Sequence, residues 1–214
     1  MTLNKLQKCQ PHLGKLCFGL DRSQPAIVAR GQYAMYQNSM QGRLPTFYDI
    51  LLVNTYYNCN KCTDKLTCQN GGVQDVNLCV VCRCPNGYVG PTCGEFPEGT
   101  IQKNVSASPQ TIVARAGADQ ETPKLDFDNV YYVLTAPAGK RVQLTAKAIT
   151  GVISTNCMYG GAEVKFAKDK RMAGIRICQS GFHKDPIISE GNQMIINVYN
   201  RHLSTTFTFS ARAV

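Results

Sequence analysis

Alternation of apolar and polar residues marks the C-terminal half of the chain. It is clear in Arg141-Val142-Gln143-Leu144-Thr145-Ala146-Lys147 and again in Thr206-Phe207-Thr208-Phe209-Ser210-Ala211-Arg212. A period of two sends successive side chains to opposite faces, so both segments are predicted as strands with one buried face. Phe207 and Phe209 share one face, Thr206 and Thr208 the other. Ile195-Ile196-Asn197-Val198-Tyr199 predicts a further strand, and Ala136-Pro137-Ala138-Gly139 and Glu190-Gly191-Asn192 punctuate as turns. Many short strands with regular turns predict an antiparallel β-sandwich or jelly roll from about residue 97 to the end. Cys157 and Cys178 fall within it. A bridge between them would close a loop worth about 3 kcal/mol in the chain-entropy picture.

The pattern differs upstream. Thr46-Phe47-Tyr48-Asp49 is a helix start, with Thr46 as cap and Asp49 as its answering residue at the positive end of the dipole. Ile50 to Tyr57 follows and is apolar almost all round, which suits a helix buried inside a domain.

Between helix and strands the cysteines take over. Six of the eleven in the chain lie between Cys62 and Cys93, spaced C-x5-C-Q-N-G-G-x6-C-x2-C-x-C-x8-C. Segments below roughly 40 residues bury too little apolar surface to hold themselves and use disulfides or a metal. Cys59-x2-Cys62-x16-Cys79-x2-Cys82 also has the spacing of a four-cysteine zinc site. The charge balance, 23 Lys+Arg against 14 Asp+Glu for a net +9, would then suggest an intracellular nucleic-acid binder. Zinc, however, leaves Cys68, Cys84 and Cys93 without a role. It also leaves unexplained the turn glycines of Asn70-Gly71-Gly72 and of the Pro85–Gly90 loop. Disulfides are the favoured reading and zinc the alternative.

Residues 62–93 resemble an EGF-like module. The resemblance implies the pairs Cys62–Cys79, Cys68–Cys82 and Cys84–Cys93. Asn60-Lys61 stands where calcium-binding members carry acidic or amide residues, so calcium is not expected. Tyr132 to Leu144, Cys157 to Val164, Gly174 to Cys178, Ile188 to Ile196 and Thr205 to Phe209 resemble a CUB domain that retains one disulfide, Cys157–Cys178. Met158-Tyr159-Gly160-Gly161 follows Cys157 where many such domains have a calcium-binding aspartate. Glu163 is read as a solvated strand residue. Pro25–Val28, Tyr36–Gly42 and Phe47–Cys59 are similar to the end of an astacin-type zinc protease domain, in the order seen in nematode astacins. The expected division is therefore 1–59, the truncated end of an astacin-like domain; 60–94, an EGF-like module; and 95–214, a CUB-like domain. The fold class is mainly β and multi-domain, with a short helical remnant.

The astacin motif H-E-x-x-H-x-x-G-x-x-H, whose histidines hold zinc and whose glutamate is the base, is absent from this sequence. His12, His183 and His202 sit in unrelated contexts. No catalytic or metal-binding residue is assigned, and zinc is expected only in an intact protease. The chain as given is predicted inactive. After the EGF-like and CUB-like pairs, Cys9, Cys17 and Cys59 remain as unpaired candidates. In astacins the equivalent of Cys59 pairs with a cysteine near the start of the catalytic domain. Met1–Cys9 has no apolar signal region, which conflicts with an oxidising compartment unless the true N-terminus is missing. No apolar run approaches the roughly 20 residues of a membrane span. Asn104-Val105-Ser106 is a glycosylation sequon.

Together these imply the C-terminal, substrate- or matrix-targeting portion of a secreted metalloendopeptidase. The alternative is a non-catalytic secreted EGF/CUB protein that binds protein or glycan. The expected partner is an extracellular protein or matrix component, with no nucleic acid. Arg141, Lys147, Lys165, Lys168, Lys170 and Arg171 cluster in sequence. They read as a solvated surface or as a patch for acidic polysaccharide.

Overall fold

Thr46 opens a helix as its sequence predicts. In the computed structural model, which describes residues 27–39, 45–118, 121–152, 157–178 and 185–214, α1 spans Phe47–Tyr56. Thr46 Oγ1 accepts from the Asp49 amide, and Asp49 Oδ2 accepts from the Thr46 amide at 2.7 Å. Both orphan donors are thereby satisfied, as in a capping box. A 3-10 helix, Gly31–Asn38, precedes it. No residue of α1 is buried.

The cysteine-rich stretch is held by its own bridges. Cys62 is bonded to Cys79, Cys68 to Cys82 and Cys84 to Cys93. Its regular structure is one short antiparallel pair, β1 (Val73–Gln74) with β2 (Cys82–Arg83). The zinc alternative fails here, because Cys62, Cys79 and Cys82 are consumed as disulfides. Among the described residues no group of three or more His, Cys, Asp or Glu is placed to hold a metal ion.

The remaining strands are β3 (Ile101–Asn104), β4 (Gln110–Gly117), β5 (Asp128–Thr135), β6 (Val142–Gly151), β7 (Gly160–Lys165), β8 (Ile175–Ile177), β9 (Ile187–Ile188), β10 (Gln193–Asn200) and β11 (Ser204–Ala213). They form two sheets, in the orders β3-β5-β10-β7-β8 and β4-β11-β6-β9. Every pairing in them is antiparallel except β3 with β5. The predicted alternation is real: along β11 Phe207, Phe209 and Ala211 are buried while the residues between them are not. Phe207 and Phe209 stack at 5.7 Å and meet Leu134, Leu144, Met194 and Ile196 in the core between the sheets. Burying each such side chain contributes roughly 1.5–3 kcal/mol. The Cys157–Cys178 bond closes one side of this sandwich.

β10 departs from alternation because both of its faces are covered. Met194, Ile196 and Val198 point into the core, while Ile195 is buried beneath the stapled module and Asn197, also buried, donates to Asn129 Oδ1. A strand covered on both sides reads as a continuous apolar run, which is why 195–199 carries little period-two signal.

Candidate functional site

The stapled module sits on the outer face of the five-stranded sheet, and Asn86 organises the contact. Asn86 Nδ2 donates to Glu163 Oε2 at 3.0 Å. Its Oδ1 accepts from the Tyr131 hydroxyl at 2.9 Å, and its carbonyl accepts from Lys165 Nζ at 2.8 Å. Glu163 Oε1 accepts from the Gly174 amide at 2.7 Å, so Glu163 is a junction residue and not a solvated one. Tyr88 donates to Gln193 Oε1 at 3.0 Å and stacks on Phe96. Tyr88, Ile195 and Val133 form a small second core beneath these polar bonds. Cross-strand register puts Val133 and Lys165 on either side of Ile195, and Tyr131 and Glu163 on either side of Asn197.

Burial pushes the Lys165 ammonium below its usual range. Lys170 is pushed down to about 8 by burial and then by the charge of Lys165. Its Nζ donates to the carbonyls of Ala167 and Gln193.

The helical segments are strapped to the same side of the sandwich. Tyr48 donates to Asp169 Oδ2 at 2.5 Å, and the Arg171 guanidinium lies 5.2 Å from the Tyr48 ring while pairing with Asp169. Ser39 Oγ accepts from the Arg176 amide and Arg176 Nη2 donates to the Ser39 carbonyl. Tyr36 packs on Phe166, and burial raises its hydroxyl to about 12. Between α1, the module and the sheet lies an open cleft of about 1170 Å³, walled by residues such as Asp49, Asn86, Tyr131, Glu163, Arg176 and Asn197.

The Arg171 guanidinium, and after it the Tyr48 hydroxyl, hold the Asp169 carboxyl well below the usual carboxylate range. A carboxylate depressed by folding contributes stability above its unfolded value of about 4 and loses it as pH falls toward the folded value. As pH falls from 4 toward that folded value the tie weakens progressively, and Tyr48 is released from the sandwich only once Asp169 itself takes up a proton, well below pH 4. The Tyr48 ring resonances are expected to move to free-tyrosine positions while those of Phe207 stay fixed. In Asp169→Asn the released positions are expected at neutral pH as well.

Among the residues singled out from sequence, Cys9, Cys17, His12 and His183 lie outside the described residues. His202 packs on Tyr159 at 5.4 Å. Cys59 carries a free thiol. Asn104 is exposed at the end of β3, an edge strand. The basic cluster does not hold together: Lys165, Lys170 and Arg171 are occupied by Asn86, two carbonyls and Asp169, whereas Arg141, Lys147 and Lys168 are exposed. Asn86, Tyr131, Asp169 and Arg176 were not found from sequence. Asn86 lies in a turn signal, but its partners are more than 40 residues away.

The described residues thus define a disulfide-stapled, mainly β protein in which a small module caps one face of a two-sheet sandwich. Zinc metalloproteinase nas-31 of Caenorhabditis elegans is 30% identical over 183 residues, covering 84% of this chain and 30% of that protein. Zinc metalloproteinase nas-17 of the same organism is 31% identical over 183 residues, covering 84% and 42%. The chain is homologous over that stretch to the astacin zinc metalloproteinases of C. elegans. It spans less than half the length of these curated relatives. No family model matches. Similar solved structures include the CUB1-EGF-CUB2 domains of rat MASP-1, at 17% identity and a TM-score of 0.39 over 54% of this chain and 42% of that one. The corresponding human MASP-1/3 domains give 13% and 0.38 over 75% and 57%.

Proposed function

We propose that the chain is the C-terminal, non-catalytic portion of a secreted astacin-type zinc metalloendopeptidase, divided at 1–59, 60–94 and 95–214 into the end of the protease domain, an EGF-like module and a CUB-like domain. Zinc and the hydrolytic step belong to the preceding protease domain. The modules here hold that domain and bring it to an extracellular protein or matrix partner. The observation that carries this reading is α1. Leu52, Val53, Tyr56 and Tyr57 are 69, 52, 79 and 71% exposed, yet the helix is capped and tied to the sandwich through Tyr48. A seated helix with a bare apolar surface is an interface awaiting its other half. Three module disulfides and the free Cys59 thiol agree with an oxidising compartment and a partner cysteine elsewhere. Asn104 is the proposed glycan site, where a sugar would also blunt the sheet edge.

Mapping the 5′ end of the native transcript tests the proposal. Continuation upstream into a signal peptide and H-E-x-x-H-x-x-G-x-x-H is expected. A native message starting at Met1 would leave a binding protein with no catalytic part.

A further inference from the structure

The two outer faces of the sandwich are treated differently. That of the five-stranded sheet lies under the stapled module, whereas that of the four-stranded sheet carries no other part of the described chain. The bare face is largely polar, with Val113 of β4 and Ile188 of β9 exposed among its hydroxyls. Thr206, Thr208 and Ser210 point outward along β11, and Ser210 is flanked by Thr111 of β4 and Thr145 of β6. Its charges are of one sign. Arg212 lies opposite Gln143 and donates to Gln143 Oε1 at 3.2 Å, and Arg141, two residues before Gln143, shares that side. Lys147 is the extra residue of the bulge opposite Thr208 and Phe209, and it is exposed. Bulges re-aim side chains in this way. Strands β4, β6, β9 and β11 contain no aspartate or glutamate. Arg141, Lys147 and Arg212 make no ion pair among the described residues.

We propose that this face, with Arg141, Arg212 and Lys147 as its cations beside Arg115, which donates to Ser204 Oγ at 3.2 Å, binds an acidic polysaccharide lying along β6 and β11. The proposal rests on the targeting reading above and names the ligand class of that role. Arg141 and Arg212 stand at one end of the face and Lys147 roughly 20 Å away, at about 3.3 Å per residue. The hydroxyls and amide between them donate to and accept from sugar hydroxyls. Acidic groups spaced along a polysaccharide then meet cations at both ends of the row. The face suits other partners less well. It bears no aromatic side chain to anchor a protein interface or to stack a base. Four cations on the face are also sparse for a duplex with one charge per about 1.7 Å.

The test uses the full chain, heparin and a chondroitin sulfate oligosaccharide, titrated at several salt concentrations. The variant Arg141→Gln/Lys147→Gln/Arg212→Gln is compared with Lys61→Gln/Lys65→Gln/Arg83→Gln, which removes the same charge from exposed positions on the module. Thermal melts verify that both are folded. The face variant is expected to lose at least tenfold in affinity and to show a shallower salt dependence, with the control within twofold of the parent. Equal losses in both variants, or none in the face variant, would overturn the placement and leave the targeting reading standing. Tighter binding to poly-L-glutamate than to either polysaccharide would overturn the ligand class in favour of an acidic protein. No binding of the parent to either polysaccharide would overturn the class outright. The transcript test of the protease reading is independent of all these outcomes.

Discussion

A version of the chain beginning at Cys62 will stay monomeric at concentrations where the full chain self-associates. α1 buries none of its residues, and Leu52, Val53, Tyr56 and Tyr57 add their apolar area to one exposed surface. At about 25 cal/mol per Å² of apolar area removed from water, pairing such surfaces between two copies contributes several kcal/mol. The module and sandwich carry four disulfides and both apolar cores, so they do not need the helix to fold. Sedimentation velocity across a concentration series reads the result. Leu52→Ser/Tyr56→Ser in the full chain removes the same surface without a deletion and is expected to give the same monomer. A full chain that sediments as a monomer throughout would show that the helix face is not adhesive.

Gly87→Ala is expected to uncouple the module from the sandwich. Gly87 has φ +97°, a conformation that costs an L residue about 1–2 kcal/mol. An added Cβ there would also sit 3.1 Å from Ile195 Cγ2 and 3.3 Å from Cδ1, in the small core between the two parts. Overpacking of that kind adds typically 1–3 kcal/mol. Gly139→Ala is the matched control, since its φ is +75° but its Cβ would meet nothing within 4 Å. The control should lose only the backbone cost. Gly87→Ala should lose more, and its calorimetric trace should split as the module detaches first. Equal losses in the two variants would mean that the Tyr88–Ile195 packing does not couple the parts.

The strands with one wet face were legible because alternation records burial directly: β6 and β11 follow it residue by residue up to the bulge. The Thr46–Asp49 cap was legible because both partners lie within one turn. The junction was not. Nothing local in Pro85-Asn86-Gly87 indicates that Asn86 will meet Tyr131, Glu163 and Lys165, since those bonds exist only after the sheet has assembled. The charge cluster misled for the same reason. Lys165 and Arg171 stand close in sequence to Lys168 and look alike, but folding gives them partners and leaves Lys168 exposed. The cationic row joins Arg141 and Lys147 to Arg212, whose membership follows from strand register rather than from sequence distance.

The burial of Ile195 and Val133 under Tyr88 and the module cysteines ties the drying of one sheet face to sulfur chemistry. Strands can pair in microseconds to seconds, whereas disulfides close and reshuffle over seconds to hours. While the module's thiols remain open, its lid is unformed and an apolar stripe at the centre of an otherwise finished sheet stays wet. A newly made chain would carry a transient mark of its own immaturity, legible to any chaperone that recognises exposed aliphatic surface and erased when the bridges close.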